Sequence, residues 1–124
     1  MNAVYEEEKL TQKVIECIIE VHKTLGPGFI EGIYKNAMIL ELISHGLKVE
    51  REKPISVKYK GKIVGKQKLD VVVENTVVLE LKTVEALSKA HYAQLRSYLK
   101  ASKIPIGLLV NFADSKADYR RVEI

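Results

Sequence analysis

The stretch KLDVVVENTVVLELK, residues 68–82, decides the fold. Its two halves are rich in valine and leucine, which favour strands, and residues 74–76 are typical of a turn between them. Glu80 and Lys82 nevertheless lie within the second half or at its edge. Charged groups in an apolar strand are costly unless they are paired or bound to something. The stretch therefore predicts a β-hairpin with one polar face.

The length of the turn decides where Asp70 lies relative to Glu80. With a three-residue turn at 74–76 the two carboxylates are cross-strand neighbours on one face, whereas a two-residue turn places them on opposite faces. Two carboxylates about 4 Å apart repel by about 4 kcal/mol at a protein-like effective dielectric. A proton, the nearby Lys82 or a divalent cation could offset that repulsion. The non-catalytic alternative is a salt bridge at the edge of the sheet between Lys82 and either Asp70 or Glu80.

Two helices are predicted before the hairpin. Apolar residues at spacings of three and four predict helices over residues 6–25 and about 29–44. Residues 26–28, Gly-Pro-Gly, end the first helix, and Gly46 ends the second. The buried stripe of the second helix is expected to consist of five residues: Ile30, Ile33, Ala37, Leu40 and Ile43.

Further strands surround the hairpin. Residues 55–65 alternate with a period of two about a turn at Gly61, and Ser88 suits the N-cap of a helix reaching about residue 102. A buried strand over 106–112 and a short strand-like tail follow, so the expected order is α-α-β-β-β-β-α-β. The helix between strands 77–82 and 106–112 is a crossover, so these strands are expected to be parallel. The fold class is α/β, a mixed sheet flanked by helices.

Length and composition limit the possible domain organisation and location of the protein. The 124 residues, 47% of them hydrophobic, are expected to form a single domain, residues 1–124, with one core. The single cysteine, Cys17, excludes an intrachain disulfide and is expected to be a small core residue. No run approaches the roughly 20 apolar residues of a membrane span, and the N-terminus is acidic where a signal peptide is basic. We expect a cytoplasmic protein that does not contact a membrane.

The net charge of +4 is concentrated in residues 48–68, which hold eight basic residues against Glu50 and Glu52. A local basic field suits a phosphate-bearing partner, and Lys58 and Lys60 are candidate contacts. The alternative is that the lysines solubilise a hairpin and protect an edge strand.

Two helical segments carry further polar groups. In residues 25–34, LGPGFIEGIY, Glu31 and Tyr34 share one helix face; in residues 90–99, AHYAQLRSYL, so do Gln94 and Tyr98. In isolation the first pattern is typical of a glutamate that compensates a helix dipole, and the second of an amphipathic helix.

Taken together, these stretches resemble a known family. GPGFIEGIY resembles the G-x-x-E-x-x-Y signature of the GxxExxY protein family, which belongs to the restriction-endonuclease-like PD-(D/E)XK nuclease superfamily. The similarity runs over about residues 10–124, through VHKTLGPG, LELKTV, QLRSYLK and GLLVNF. The resemblance implies a Mg²⁺- or Mn²⁺-dependent nuclease with a restriction-endonuclease-like core.

The resemblance also assigns roles to residues. It places the divalent metal on Asp70, Glu80 and Leu81, and gives Lys82 the task of assisting the attacking water. Glu31 would complete the site, and Gln94 with Tyr98 matches the Q-x-x-x-Y of one nuclease branch. Leu69 stands where the superfamily's name has proline. The supporting or nucleic-acid-contacting residues are expected to be Tyr34, Tyr98, His22, Lys58 and Lys60.

Two functions remain open at this point. The first is hydrolysis of phosphodiester bonds, in DNA more than in RNA; the second is a catalytically inactive module that binds nucleic acid or protein with the same fold. The chain is near the minimum size for the superfamily, so a homodimer or a partner subunit would complete its function. His22 is expected to be a hydrogen-bonded structural histidine. The three histidines and Cys17 are scattered in sequence and give no zinc spacing.

Overall fold

The computed structural model describes residues 3–124, with side chains from residue 6 onward. Residues 1 and 2, which the single-domain prediction includes, lie outside the described part. None of the described helices combines the length and the apolar character that crossing a bilayer requires.

Helices and strands alternate in blocks along the described residues. The elements are α1 (Ala3–Leu25), α2 (Glu31–Ser44), β1 (Val49–Tyr59), β2 (Lys62–Val73), β3 (Val77–Lys82), α3 (Lys89–Ser102), β4 (Ile106–Asn111) and β5 (Asp118–Glu123). The strands form one sheet in the order β1-β2-β3-β4-β5, in which β3 and β4 are parallel and the other neighbours antiparallel. Helix α3 is the crossover between the parallel pair, so the α/β prediction is confirmed.

The number of strands before α3 differs from the prediction. Three strands are present there and not four, because Lys62–Val73 is one continuous strand of 12 residues. No proline interrupts it, and β1 pairs with it along most of its length. The strand-like tail becomes β5, which pairs with β4. The observed order is therefore α-α-β-β-β-α-β-β.

Two apolar layers cover the sheet, one on each face. The layer under α1 and α2 contains Val71, Leu79 and Leu81, and the layer under α3 contains Val72 and Val78. Ser88 caps α3 as predicted, because its hydroxyl accepts the backbone N–H of His91 and the His91 ring in turn accepts the N–H of Ser88. Side chains alternate between two helical layers, which explains why β3 is apolar on both faces.

Helix α2 buries a different face from the one predicted. Its buried residues are Tyr34, Met38 and Leu42, whereas Leu40 is 72% exposed and Ile43 is 56% exposed. Ile30 and Ile33, the other large members of the predicted stripe, are also exposed. Both sets recur at spacings of three and four, so the apolar period alone does not distinguish them.

Tyr34 fixes which face of α2 turns inward. Its ring is fully buried and stacks on Phe112, with ring centroids 4.4 Å apart. Its hydroxyl donates a hydrogen bond to the carbonyl of Gly26 and accepts the backbone N–H of Phe29 at 3.3 Å. The α1–α2 loop is thereby tied to the first turn of α2. Glu31 lies in that turn, so Tyr34 helps to position it.

The distal part of the β1–β2 hairpin projects from the sheet. Strand β2 pairs with β3 only over Val71–Val73, whereas its pairing with β1 extends from Val73 to Lys62. We call residues 53–69 the arm. Its turn at Lys60-Gly61 has positive φ at both residues (50° and 81°), as a two-residue hairpin turn requires.

Replacing Tyr34 with phenylalanine should destabilise the fold. The variant keeps the stack on Phe112 but removes the hydroxyl that serves Gly26 and Phe29. We expect a loss of about 1–2 kcal/mol in the free energy of unfolding, measured by urea denaturation. The matched control is Tyr119→Phe on exposed β5, which should change the free energy little. Equal losses in both variants would contradict the role of the Tyr34 hydroxyl.

Candidate active site

The site lies where β2 and β3 separate. Their backbone pairing ends at Val71 and Leu79, and the neighbouring residues Asp70 and Glu80 are no longer paired. The alternation of side chains also breaks there, since Leu69 packs in the α3 layer and Val71 in the opposite layer. The three-residue turn at 74–76 is confirmed by the pairing of Val73 with Val77.

Two carboxylates take the place of the missing backbone bonds. A Glu80 oxygen accepts the backbone N–H of Asp70 at 3.2 Å, and an Asp70 oxygen accepts the backbone N–H of Leu81 at 3.0 Å. Each carboxylate thus accepts a backbone N–H of the opposite strand. Asp70 and Glu80 meet as predicted, but between the strands and not as an ordinary cross-strand pair.

The cation beside Asp70 comes from α2. The ammonium of Lys35 lies 3.1 Å from Asp70 Oδ1, and only 11% of the Lys35 side chain is exposed. A second carboxylate, that of Glu52, lies 3.9 Å from the same nitrogen. Lys35 was not among the predicted site residues. The signal that could have found it is its position four residues after Glu31, which puts both side chains on one face of α2.

Glu80 balances its charge with a proton. It is 4% exposed, and burial is the main reason that its pKa rises to about 8. The negative charge of Asp70 and a hydrogen bond between the two carboxyl groups raise the pKa of Glu80 further, against a backbone hydrogen bond and the charge of Lys82. Near neutral pH Glu80 therefore holds its proton, while Lys35 contacts the Asp70 side chain.

Lys82 and Gln94 meet next to the carboxylates. Lys82 follows Glu80 by two residues on β3, and its ammonium lies 3.5 Å from the amide oxygen of Gln94 on α3. Its positive charge also lowers the pKa of Glu80 and of Glu31. Lys82 makes no ion pair with Asp70 or Glu80 among the described residues, so the predicted edge salt bridge is made by Lys35 instead.

Glu31 lies at the periphery of this group. Burial first and the charge of Asp70 second raise the pKa of the Glu31 carboxyl, while Lys82 and Lys35 lower it. In the described part of the chain, the ligand atoms of Glu31, Asp70 and Glu80 do not form a set within 4.8 Å of one another. Glu31 therefore shares the electrostatic field of the two central carboxylates without joining them in one compact ligand set.

Tyr98 and His22 occupy supporting positions. Tyr98 on α3 is 9% exposed, and its hydroxyl donates to the side chain of Gln67 at the base of the arm (3.2 Å). Burial, then Glu80, then Asp70 raise the pKa of Tyr98. His22 is buried, lies 2.7 Å from the carbonyl oxygen of Asp114 and stacks on the Phe112 ring. These are the contacts of a hydrogen-bonded structural histidine.

Three remaining candidates differ in how they can act. Leu81 is fully buried and can offer a ligand only through its backbone carbonyl. Lys58 and Lys60 are exposed at the far end of the arm. At about 3.3 Å per residue of strand, Lys60 lies some 25–30 Å along β2 from Asp70. These lysines can contact a long substrate but cannot reach the reacting atoms.

Spacing along the sequence does not reveal one group of possible metal ligands. Cys17 is scattered from the histidines in sequence, yet the packing of α1 on α2 brings Cys17, Glu41 and His45 together, with their ligand atoms within 4.8 Å of one another. Spacing along one chain segment does not reveal a ligand set contributed by two helices. Cys17 is itself fully buried in the core, as expected.

Comparison with known proteins identifies the superfamily of the chain. The family model described as the PD-(D/E)XK nuclease superfamily matches residues 8–122. The chain belongs to this superfamily. A search of the curated proteins finds no match.

A solved structure has a similar fold. The crystal structure of SSO0001 is similar to this chain with a TM-score of 0.60 at 20% sequence identity, covering 74% of this chain and 48% of that protein. The chain thus spans about half the length of that protein. At this identity the likeness supports the fold alone.

The proton on Glu80 predicts how stability depends on pH. Because its pKa is raised from 4.5 to about 8, the folded state binds a proton that the unfolded state has lost between these values. Without divalent metal, the free energy of unfolding should fall as pH rises from about 4.5 to 8, by at most about 1.4 kcal/mol per pH unit. It should be independent of Glu80 outside that window.

Glu80→Gln should flatten this dependence, because glutamine does not titrate. The measurement is urea denaturation at a series of pH values in the presence of a chelator. Glu85→Gln, at an exposed position on the following loop, is the matched control and should keep the slope of the wild-type chain. A slope unchanged by Glu80→Gln would show that Glu80 does not hold the proton.

Proposed function

We propose that this chain is a metal-dependent nuclease that hydrolyses phosphodiester bonds, in DNA more than in RNA. The observation that carries the proposal is the meeting of the Asp70 and Glu80 carboxylates between two separated strands, beside the ammonium of Lys82. Superfamily membership supports the same reaction class.

The donor set suits a hard divalent cation, Mg²⁺ or Mn²⁺. Asp70 and Glu80 would hold the ion with carboxylate oxygens, and Leu81 would add its backbone carbonyl. These are the ligands that Mg²⁺ prefers. When bound, such an ion lowers the pKa of its water and stabilises charge on a phosphoryl oxygen. Glu80 must give up its proton to act as a ligand, and the charge of the ion would favour that loss.

The neighbouring polar residues supply the remaining functions. Lys82 would orient and help to deprotonate the attacking water or bind the phosphate as charge develops on it. Gln94, within 3.5 Å of the Lys82 ammonium, would hold that amine in place. Glu31 would bias the local field from the edge of the site, and Tyr34 would keep Glu31 in position.

The arm would bind the substrate backbone. Five of its six lysines are exposed, and Lys58 and Lys60 lie at its far end. Phosphate contacts of this kind give salt-sensitive binding with little sequence preference. We therefore expect affinity for DNA to fall steeply with salt concentration.

We further propose that the chain belongs to the GxxExxY branch of the superfamily. The residues of the signature have distinct tasks here: Gly28 has a φ of 110°, Glu31 faces the site and Tyr34 ties the loop to α2. The homodimer and the cytoplasmic location stay predictions.

A binding module without turnover is the second candidate. Lys35 already neutralises Asp70, and a proton neutralises Glu80, so the carboxylates are compensated without a metal ion. In this case the site would be a polar feature of the fold, and the basic arm alone would bind nucleic acid.

A nuclease assay separates these candidates. With Mn²⁺ or Mg²⁺ present, we expect the wild-type chain to cleave DNA, and Glu80→Gln and Lys82→Ala to reduce the rate by about a hundredfold or more. Lys100→Ala, at an exposed position on α3, is the control and should keep the wild-type rate. Cleavage that survives Lys82→Ala would point to a contaminating nuclease, and absence of cleavage with DNA binding retained would favour the binding module.

Lys35 should oppose metal binding. A cation at Asp70 must displace the Lys35 ammonium, and the two positive charges repel each other. Lys35→Met should therefore tighten Mn²⁺ binding, by about tenfold if removal of the lysine contributes about 1.4 kcal/mol. Isothermal titration calorimetry measures the effect. Lys53→Met removes an ion pair between Lys53 at the start of the arm and Glu50 on β1, and should leave the affinity unchanged. Weaker binding by Lys35→Met would contradict the competition.

A further inference from the structure

A second group of metal-binding side chains lies between α1 and α2. The sulfur of Cys17 is 3.6 Å from Nδ1 of His45, and Oε2 of Glu41 is 3.5 Å from the same nitrogen. The three ligand atoms all lie within 4.8 Å of one another. Glu41 and His45 are four residues apart at the C-terminal end of α2, so they share one helix face.

These separations match the edges of a tetrahedral zinc site. Zinc bonds of about 2.3 Å to sulfur and about 2.0–2.1 Å to nitrogen or oxygen give ligand-to-ligand edges of about 3.3–3.6 Å at tetrahedral angles. The Cys17–His45 and His45–Glu41 distances lie near this length. Hydrogen bonding alone does not require the three ligand atoms to lie close to one common point.

We propose that Cys17, Glu41 and His45 form a second cation site, selective for Zn²⁺, that joins α1 to α2. Thiolate, imidazole and carboxylate are all zinc ligands, and three of them leave a fourth position for water. Thiolate and carboxylate together balance the charge of the ion. The site is separate from the carboxylates of the candidate active site, since Lys35 and His45 are ten residues apart on α2, about 15 Å along its axis.

Access to the site comes from the α2 side. The Cys17 side chain is fully buried, whereas the side chains of His45 and Glu41 are 35% and 28% exposed. An ion can therefore reach the imidazole and carboxylate first and contact the sulfur from the solvent side. The fourth ligand position would face the same way.

One proton must leave and another must move for the ion to bind. Nδ1 of His45 lies 2.9 Å from the carbonyl oxygen of Glu41, a contact that needs a proton on that nitrogen. To bind the ion, the ring must turn away from this carbonyl and carry its proton on Nε2 instead. The Cys17 S–H proton goes to solvent. Burial, with the charges of Glu41 and Glu16, raises the pKa of the Cys17 thiol to about 11. A hard cation such as Mg²⁺ does not repay that loss, whereas zinc binds thiolate strongly.

Bound zinc would stabilise the helix that carries part of the active site. Helix α2 presents Glu31 and Lys35 at its beginning and Glu41 and His45 at its end. A cross-link to α1 at the second end would limit rotation of α2 about its axis. The zinc site is thus expected to act on stability and on the placement of Lys35, and not on the reaction itself.

Cobalt spectroscopy tests the site directly. Co²⁺ substitutes for Zn²⁺ and shows a thiolate-to-cobalt charge-transfer band only when sulfur is a ligand. Titration of the full chain with Co²⁺ should give this band together with strong tetrahedral visible bands, and Zn²⁺ should abolish both. Any Co²⁺ on Asp70 and Glu80 has only oxygen ligands and gives no such band, so failure here is distinguishable from failure of the nuclease proposal.

Variants identify the ligands. Cys17→Ala should remove the charge-transfer band, and His45→Asn and Glu41→Gln should weaken cobalt binding at least tenfold. Glu20→Gln on exposed α1 and Glu80→Gln should leave the band unchanged. His45 and Glu41 are partly exposed, so their variants keep the test valid if Cys17→Ala fails to fold. Zinc should also raise the unfolding midpoint of the wild-type chain by several degrees, but not that of His45→Asn. A spectrum without the thiolate band, or one unaffected by His45→Asn, overturns the proposal.

Discussion

The rest of the site depends on the separation of β2 and β3 after Val71 and Leu79. Beyond that point the N–H groups of Asp70 and Leu81 bond to carboxylates and not to the opposite backbone. Buried donors without a partner cost roughly 1–3 kcal/mol each, so Asp70 and Glu80 contribute to the fold as well as to the proposed chemistry. The same geometry forces two carboxyl groups together in a place where one of them is almost fully buried.

That proximity sets the charges of the surrounding side chains. Glu80 takes a proton because its charge would be buried beside Asp70, and Asp70 takes Lys35 as its counter-ion. Lys82 forms an ion pair with neither carboxylate and contacts Gln94. The two lysines thus have different partners in one small site. Lys35 forms an ion pair with Asp70, whereas Lys82 lies beside the carboxylates and contacts Gln94. A divalent cation would have to displace both the proton on Glu80 and the ammonium of Lys35, which links metal binding to the position of α2.

The sequence predicts the parts of this arrangement that depend on local spacing. A three-residue turn fixes the register that brings Asp70 and Glu80 together, and the crossover helix makes β3 and β4 parallel. It does not reveal contacts made by packing between elements. The counter-ion Lys35 comes from another helix, and the cluster of Cys17, Glu41 and His45 needs two helices. The strand separation was also missed, because side-chain alternation assumes an unbroken ladder.

The rotation of α2 is the error with the largest consequence. At about 100° per residue, the predicted stripe through Ile33 and Leu40 is centred more than about 100° from the face that contains Tyr34, Met38 and Leu42. If the predicted stripe were buried, Lys35 would lie on the opposite face of the helix and could not reach Asp70. The buried Tyr34, with its polar contacts in the α1–α2 loop, selects the other face. That choice also turns Glu41 and His45 towards Cys17 on α1, so one aromatic anchor places charged groups at both ends of the helix.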